Sequence, residues 1–189
     1  MKNLKTIAIA LLVAFSAATA TAQTKKIDVT KSTVNWLGKK VTGQHEGTIN
    51  LKEGSLIFKG KKLKGGTFTV DMTSMTNTDM KAGEGKEKLE GHLKSADFFG
   101  TDKFQTSTLV FKTIAAKGKN VYTVTADLTI KDKTNPVTFD ITVNKNTATT
   151  SLKVDRTKYD IKYGSGSFFD NLGDKAISDN FDLTVSLKF

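Results

Sequence analysis

The stretch FDLTVSLKF, Phe181 to Phe189, sets Phe181, Leu183, Val185, Leu187 and Phe189 against Asp182, Thr184, Ser186 and Lys188 in strict alternation. Successive side chains of an extended strand point to opposite faces, so this segment has one dry face and one wet face. The same period of two runs through Phe68, Val70 and Met72, through Tyr122, Val124, Ala126, Leu128 and Ile130, and through Val137, Phe139, Ile141 and Val143. It is weaker in Leu152 and Val154. The pattern predicts an all-β, mostly antiparallel domain with a single apolar side. Such a sheet covers that side by packing on a second sheet, or by curling into a barrel filled by side chains or by an apolar guest.

Working outward, turn signals at Gly43 to Gly47, Glu53-Gly54, Lys59 to Gly66, Lys117 to Asn120, Lys131 to Pro136 and Asn144 to Asn146 cut the chain into strand-length pieces. Strands are expected over Lys26–Thr30, Thr33–Val41, Thr48–Leu51, Ser55–Phe58, Thr67–Thr73, Thr108–Ile114, Val121–Lys131, Val137–Val143, Thr149–Arg156 and Asn180–Phe189. Short turns at close spacing imply hairpins in an up-and-down order. Pro136 falls at a strand start, where its missing donor costs little. Between Gly85 and Phe99 the period changes: Leu89, His92, Leu93 and Ala96 lie at i, i+3, i+4 and i+7, the spacing of a short amphipathic helix able to lie across one end of a barrel. The stretch from Gly164 to Asn180, around Phe168-Phe169, is the longest candidate loop and is placed at the mouth.

The N-terminus reads as a secretory leader. Lys2 and Lys5 precede the apolar run Ile7 to Phe15, and Ala20-Thr21-Ala22 offers a small-residue cleavage site. The run is too short for a bilayer span of about 20 residues, and no Cys follows it for lipid attachment. Residues 1–22 are therefore expected to leave a soluble, periplasmic domain over 23–189, with a core large enough for one fold. The chain has no cysteine, which excludes disulfides and thiol chemistry. Its formal net charge of +10 comes almost wholly from lysine, since Arg156 is the one arginine. Lysines scattered over turns and wet faces do not make a nucleic-acid reader; they make a solvated surface, with transient contact to an anionic membrane surface as the further expectation.

Catalytic signals are poor. Gly164-Ser165-Gly166-Ser167 does not satisfy G-x-S-x-G, and Gly83-Glu84-Gly85 fails the dinucleotide pattern because Lys stands at position 88. The two histidines, His45 and His92, have no ligand at i+4, so no metal site is expected. Arg156 could clamp a phosphate or carboxylate, or tie a strand end to Asp160, Asp179 or Asp182, and the ion pair is favoured. The aromatic content is unusual: Phe 12 against Trp 1. Phenylalanine walls a hydrocarbon pore and fills an ordinary core equally well.

Several segments, in order, resemble the YceI-like family of exported lipid-binding barrels with a lipocalin-like shape. They are Trp36-Leu37-Gly38-Lys39-Lys40 with Gly43-Gln44-His45-Glu46-Gly47, then GTFTVDM from Gly66 to Met72. Leu89-Glu90-Gly91-His92-Leu93-Lys94-Ser95-Ala96-Asp97-Phe98-Phe99 follows, with Ala126 to Lys131, Asp155 to Tyr159 and Ile177 to Asp179 after it. The family often has Gly where Ala126 stands, a point at which a side chain could narrow the cavity. The resemblance implies an eight-stranded antiparallel barrel whose elongated apolar pore holds a long-chain amphiphile, a polyisoprenoid or isoprenoid quinone relative, with no catalytic activity and no cofactor beyond that lipid. A homodimer is consistent with it. The candidate wall residues, on strands, on the expected helix and in the Phe98-Phe99 doublet, are then Trp36, Phe58, Phe68, Val70, Met72, Leu93, Phe98, Phe99, Phe111, Tyr122, Val124, Leu128, Phe139, Ile141, Leu183 and Val185, with His45, His92 and Arg156 near the lipid head or mouth. The competing readings are a small outer-membrane barrel, suggested by the aromatic end of an alternating strand, and an enzyme acting on a prenyl diphosphate.

Overall fold

The computed structural model describes residues 21–189, so the expected leader lies outside the described residues apart from its last two positions. The strands are β1 (Ala22–Lys26), β2 (Thr33–Lys40), β3 (Gly43–Lys59), β4 (Lys62–Asn77), β5 (Thr106–Gly118), β6 (Val121–Ile130), β7 (Lys133–Asn144), β8 (Thr147–Asp155) and β9 (Ile177–Lys188), and the helix is α1 (Lys86–Lys94). All pairings are antiparallel. The order β3-β2-β9-β8-β7-β6-β5-β4 closes because β4 pairs back onto β3, giving an eight-stranded barrel. β1 is the extra strand. It shares one edge of β3 with β2: Asn35–Lys40 pair with Gly43–Thr48, while Ala22–Lys26 pair with Ser55–Lys59.

The turn signal at Gly43 to Gly47 lies inside β3, and three further sequence expectations are corrected. Glu53-Gly54 does not end a strand: β3 runs on for 17 residues, and the expected turn is a bulge where the register slips between Leu51 and Glu53. Gly54 fits there because a Cβ would stand 2.7 Å from the Phe68 ring. Strand Lys26–Thr30 stops at Lys26, because the Asp28 carboxylate accepts from the Thr30 backbone N–H and caps a 3-10 turn over Val29–Lys31. Pro136 is not at a strand start but is the fourth residue of β7. It is tolerated because the β7–β8 ladder ends at Ile141 and Thr150, leaving Pro136 on an open edge. Beyond that point the two strands part, and the buried Tyr159 lies beside Pro136 and Val137 of β7 and Lys153 of β8.

Alternate connections of an up-and-down barrel fall at the same end. The β3–β4, β5–β6 and β7–β8 turns lie at one end, which is plugged by Leu56, Phe58, Leu63, Val124 and Ala148. The β2–β3 and β6–β7 turns, α1 and the long β8–β9 connection lie at the other. A second buried cluster, Val34, Ile49, Met72 and Met75, sits on the β2–β4 wall.

Candidate functional site

Between the plug and α1 the barrel encloses a cavity of about 390 Å³. Phe68, Phe111 and Phe139 form an aromatic band across it, with ring centroids 5.6 Å and 6.0 Å apart in succession. Val70, Met72, Leu128, Ile141, Leu183 and Val185 complete the wall, and Trp36, Leu93, Phe98 and Phe99 line it as well. Two wall hydroxyls are already spent: Ser107 donates to the Thr129 carbonyl at 2.7 Å and Thr150 to the Asp140 carbonyl at 2.7 Å. The cavity therefore meets a guest with hydrocarbon, except at one end, where Lys39, Lys40, Gln44, His45, Ser178 and Asn180 gather.

The nominated residues do not all meet there. Phe58, Tyr122 and Val124 have the right parity but the wrong height; they belong to the closed-end core rather than the cavity wall. Ala126, fully buried, is likewise off the wall, so it does not narrow the cavity. Val34, Ile49 and Met75 line the cavity and were missed. Val34 could have been found two residues before Trp36, on the same parity.

The mouth is organised by fixed polar contacts. His45 Nδ1 lies 2.9 Å from Asp79 Oδ2, and Asp79 also accepts from the Glu46 backbone N–H at 2.9 Å and from the Asn77 amide. Burial pushes the Asp79 carboxyl up, but these donors outweigh it and hold it below its ordinary value. Arg156 is buried and gives its guanidinium to three backbone carbonyls: Ser178 from Nε at 2.9 Å, Ile161 from Nη1 at 2.8 Å and Ile177 from Nη2 at 3.0 Å. The expected carboxylate partner is Asp179, only 3.7 Å away. Arg156 thus pins the long β8–β9 connection to the barrel. His92 does not line the cavity. Its ring stands edge-on between Phe98 and Tyr163, at 4.9 Å and 4.6 Å, closing the mouth from outside.

A family model described as the YceI-like domain matches residues 26–189. The chain belongs to the YceI-like family. Its barrel superposes on BcnA of Burkholderia cenocepacia with a TM-score of 0.68 and 25% identity, covering 85% of this chain and 98% of that one. A polyisoprenoid-binding domain from Saccharophagus degradans shares the fold at a TM-score of 0.57 and 15% identity, over 86% and 95% of the two chains. UPF0312 proteins of Staphylococcus aureus are 47% identical over 58 residues, so the match spans 31% of this chain and 31% of theirs.

Two YceI-like motif glycines have a geometric reason. Gly47 stands opposite Trp36 in the β2–β3 ladder, and a Cβ there would lie 1.9 Å from the Thr76 carbonyl oxygen and 2.5 Å from the Trp36 ring. A Cβ on Gly66 would lie 2.7 Å from Phe111. Both glycines make room for rings that wall the cavity.

Proposed function

We propose that this YceI-like protein is an exported, periplasmic binding protein that holds a long-chain isoprenoid or similar amphiphilic lipid in its barrel, for transport or storage. The observation that carries the reading is the cavity itself: hydrocarbon along its walls, polar at one end, and within the roughly 300–1,000 Å³ typical of ligand pockets. Burial gains about 0.8 kcal/mol per methylene, so a few isoprene units offset the cost of immobilising the chain. The polyisoprenoid-binding relative supports this choice of ligand class. The polar end suits an amphiphile's head, with His45 and Lys39 among the groups that would meet it.

The reading is binding without chemistry, since the polar groups at the mouth are spent on structure: His45 is engaged by Asp79 and Arg156 by three carbonyls. The outer face argues against a membrane-spanning barrel. Thr123 pairs with Asp140, Thr125 with Thr138 and Thr129 with Thr134 across β6 and β7, a polar exterior around an apolar interior, the reverse of such barrels.

The test is native mass spectrometry of residues 23–189, exported and purified without detergent, with organic extraction of whatever co-purifies. A stoichiometric prenyl lipid is expected. A bare protein mass that takes up no added prenyl lipid would rule the reading out.

A further inference from the structure

The charge of this barrel is polarised. The β3–β4 hairpin carries Lys59, Lys61, Lys62 and Lys64 at the plugged end, the β5–β6 turn is flanked by Lys117 and Lys119, and Lys145 sits in the β7–β8 turn. Lys25, Lys26, Lys31 and Lys188 reach the same end from β1, the 3-10 turn after it and the end of β9. Against these eleven lysines stand Asp28 and Asp140, already paired with Lys31 and Lys117. The mouth is closer to balance: the two connections over residues 78–105 and 156–176 together hold nine cationic side chains and nine carboxylates, and the β2–β3 and β6–β7 turns add Lys39, Lys40, Lys131 and Lys133 against Glu46 and Asp132.

We infer that the plugged end is a docking face for a bilayer surface of anionic phospholipid headgroups, and that it seats the barrel with its mouth pointing away from that surface. Seven of these lysines stand on or beside three hairpin turns at one end of a barrel, so they present to a broad, flat partner rather than to a groove. None of them is Arg, so the face offers point charges to headgroup phosphates and no bidentate forks for reading bases. The rings at this end are not free to stack on bases either: Phe58 is buried, and Lys25 Nζ lies 5.7 Å and 5.2 Å from the Phe58 and Phe189 centroids. Docking of this kind needs no occupant in the pore, so it stands or falls separately from the lipid-carrier reading.

The test is co-sedimentation of the purified chain, without added prenyl lipid, with mixed phosphatidylglycerol–phosphatidylcholine vesicles and with pure phosphatidylcholine vesicles. Binding is expected only to the anionic vesicles, with release at about 1 M salt, where the Debye length is roughly 3 Å. Each lysine removed should weaken partitioning about fivefold, so Lys61→Gln, Lys119→Gln and Lys145→Gln together should cost about a hundredfold. The same change at the exposed mouth lysines Lys88, Lys103 and Lys175 should leave binding within about twofold. Because the chain has no cysteine, an environment-sensitive dye on Asn146→Cys or Asp170→Cys reports orientation. The emission should shift to the blue on vesicle binding only at position 146. Equal binding to neutral vesicles, equal loss from the mouth variant, a shift at position 170, or tighter binding to duplex DNA than to vesicles would overturn the inference.

Discussion

Arg156 and Tyr159 lie three residues apart, are both buried, and have opposite hydrogen-bond accounts. The Arg156 guanidinium donates to three carbonyls, those of Ile161 in the β8–β9 connection and of Ile177 and Ser178 at the start of β9, and leaving such groups unpaired costs about 1–3 kcal/mol each. Arg156→Lys keeps the charge but cannot span all three. It should lower unfolding free energy by about 3 kcal/mol in urea titration. Among the described residues the Tyr159 hydroxyl has no hydrogen-bond partner, and burial pushes its pKa up to about 12. Tyr159→Phe removes that cost and should raise stability by about 1 kcal/mol in the same titration. Alternation along strands foretold neither effect. It showed that Arg156 follows a strand, but the acceptors lie on the carbonyls of Ile161, Ile177 and Ser178, and main-chain oxygens leave no mark in a side-chain pattern.

At the scale of elements, α1 is held to β4 by one carboxylate. Glu90 Oε1 accepts from the Thr76 hydroxyl at 2.6 Å and from the Asn77 backbone N–H at 2.8 Å. The Thr76 hydroxyl first, and then the Asn77 N–H, hold the Glu90 carboxyl below its ordinary value of 4.5. A carboxyl depressed in the folded state stabilises it fully above that ordinary value and loses the contribution as pH falls through the lower, folded pKa. Acidification below 4.5 should therefore loosen α1 from β4, seen as pH-dependent NMR shifts of the α1 and Thr76–Asn77 amides. Glu90→Gln should abolish the step and weaken docking at neutral pH by about 1 kcal/mol. The helix itself was legible, because Leu89 and Leu93 break the period of two, and both side chains reach the cavity. The single long β3 was not: Glu53-Gly54 has the composition of a turn, and only pairing with β4 across the bulge decides that the strand continues.

For the molecule as a whole, period two fixes which side chains point inward but not how far along the barrel they sit. Val124 and Val185 are indistinguishable in sequence, each the apolar member of a strict alternation. Val124 is fully buried in the plug, whereas Val185 faces the cavity. Val185 lines a space of about 390 Å³, so the added ring of Val185→Phe has open volume beside it. Thermal unfolding should be unchanged or slightly raised, and the amount of prenyl lipid bound should fall, followed through the fluorescence of Trp36, the one tryptophan, which lines the same space. Val124→Phe forces the same ring into a fully buried position off the cavity wall and should cost about 1–3 kcal/mol. Its lipid binding should fall only as far as the folded fraction falls. If the two variants lost stability equally, the interior would be solid from end to end and the cavity would not be a binding pore. The contrast between two identical substitutions on one parity separates pore from plug, because it varies only the height along the barrel axis.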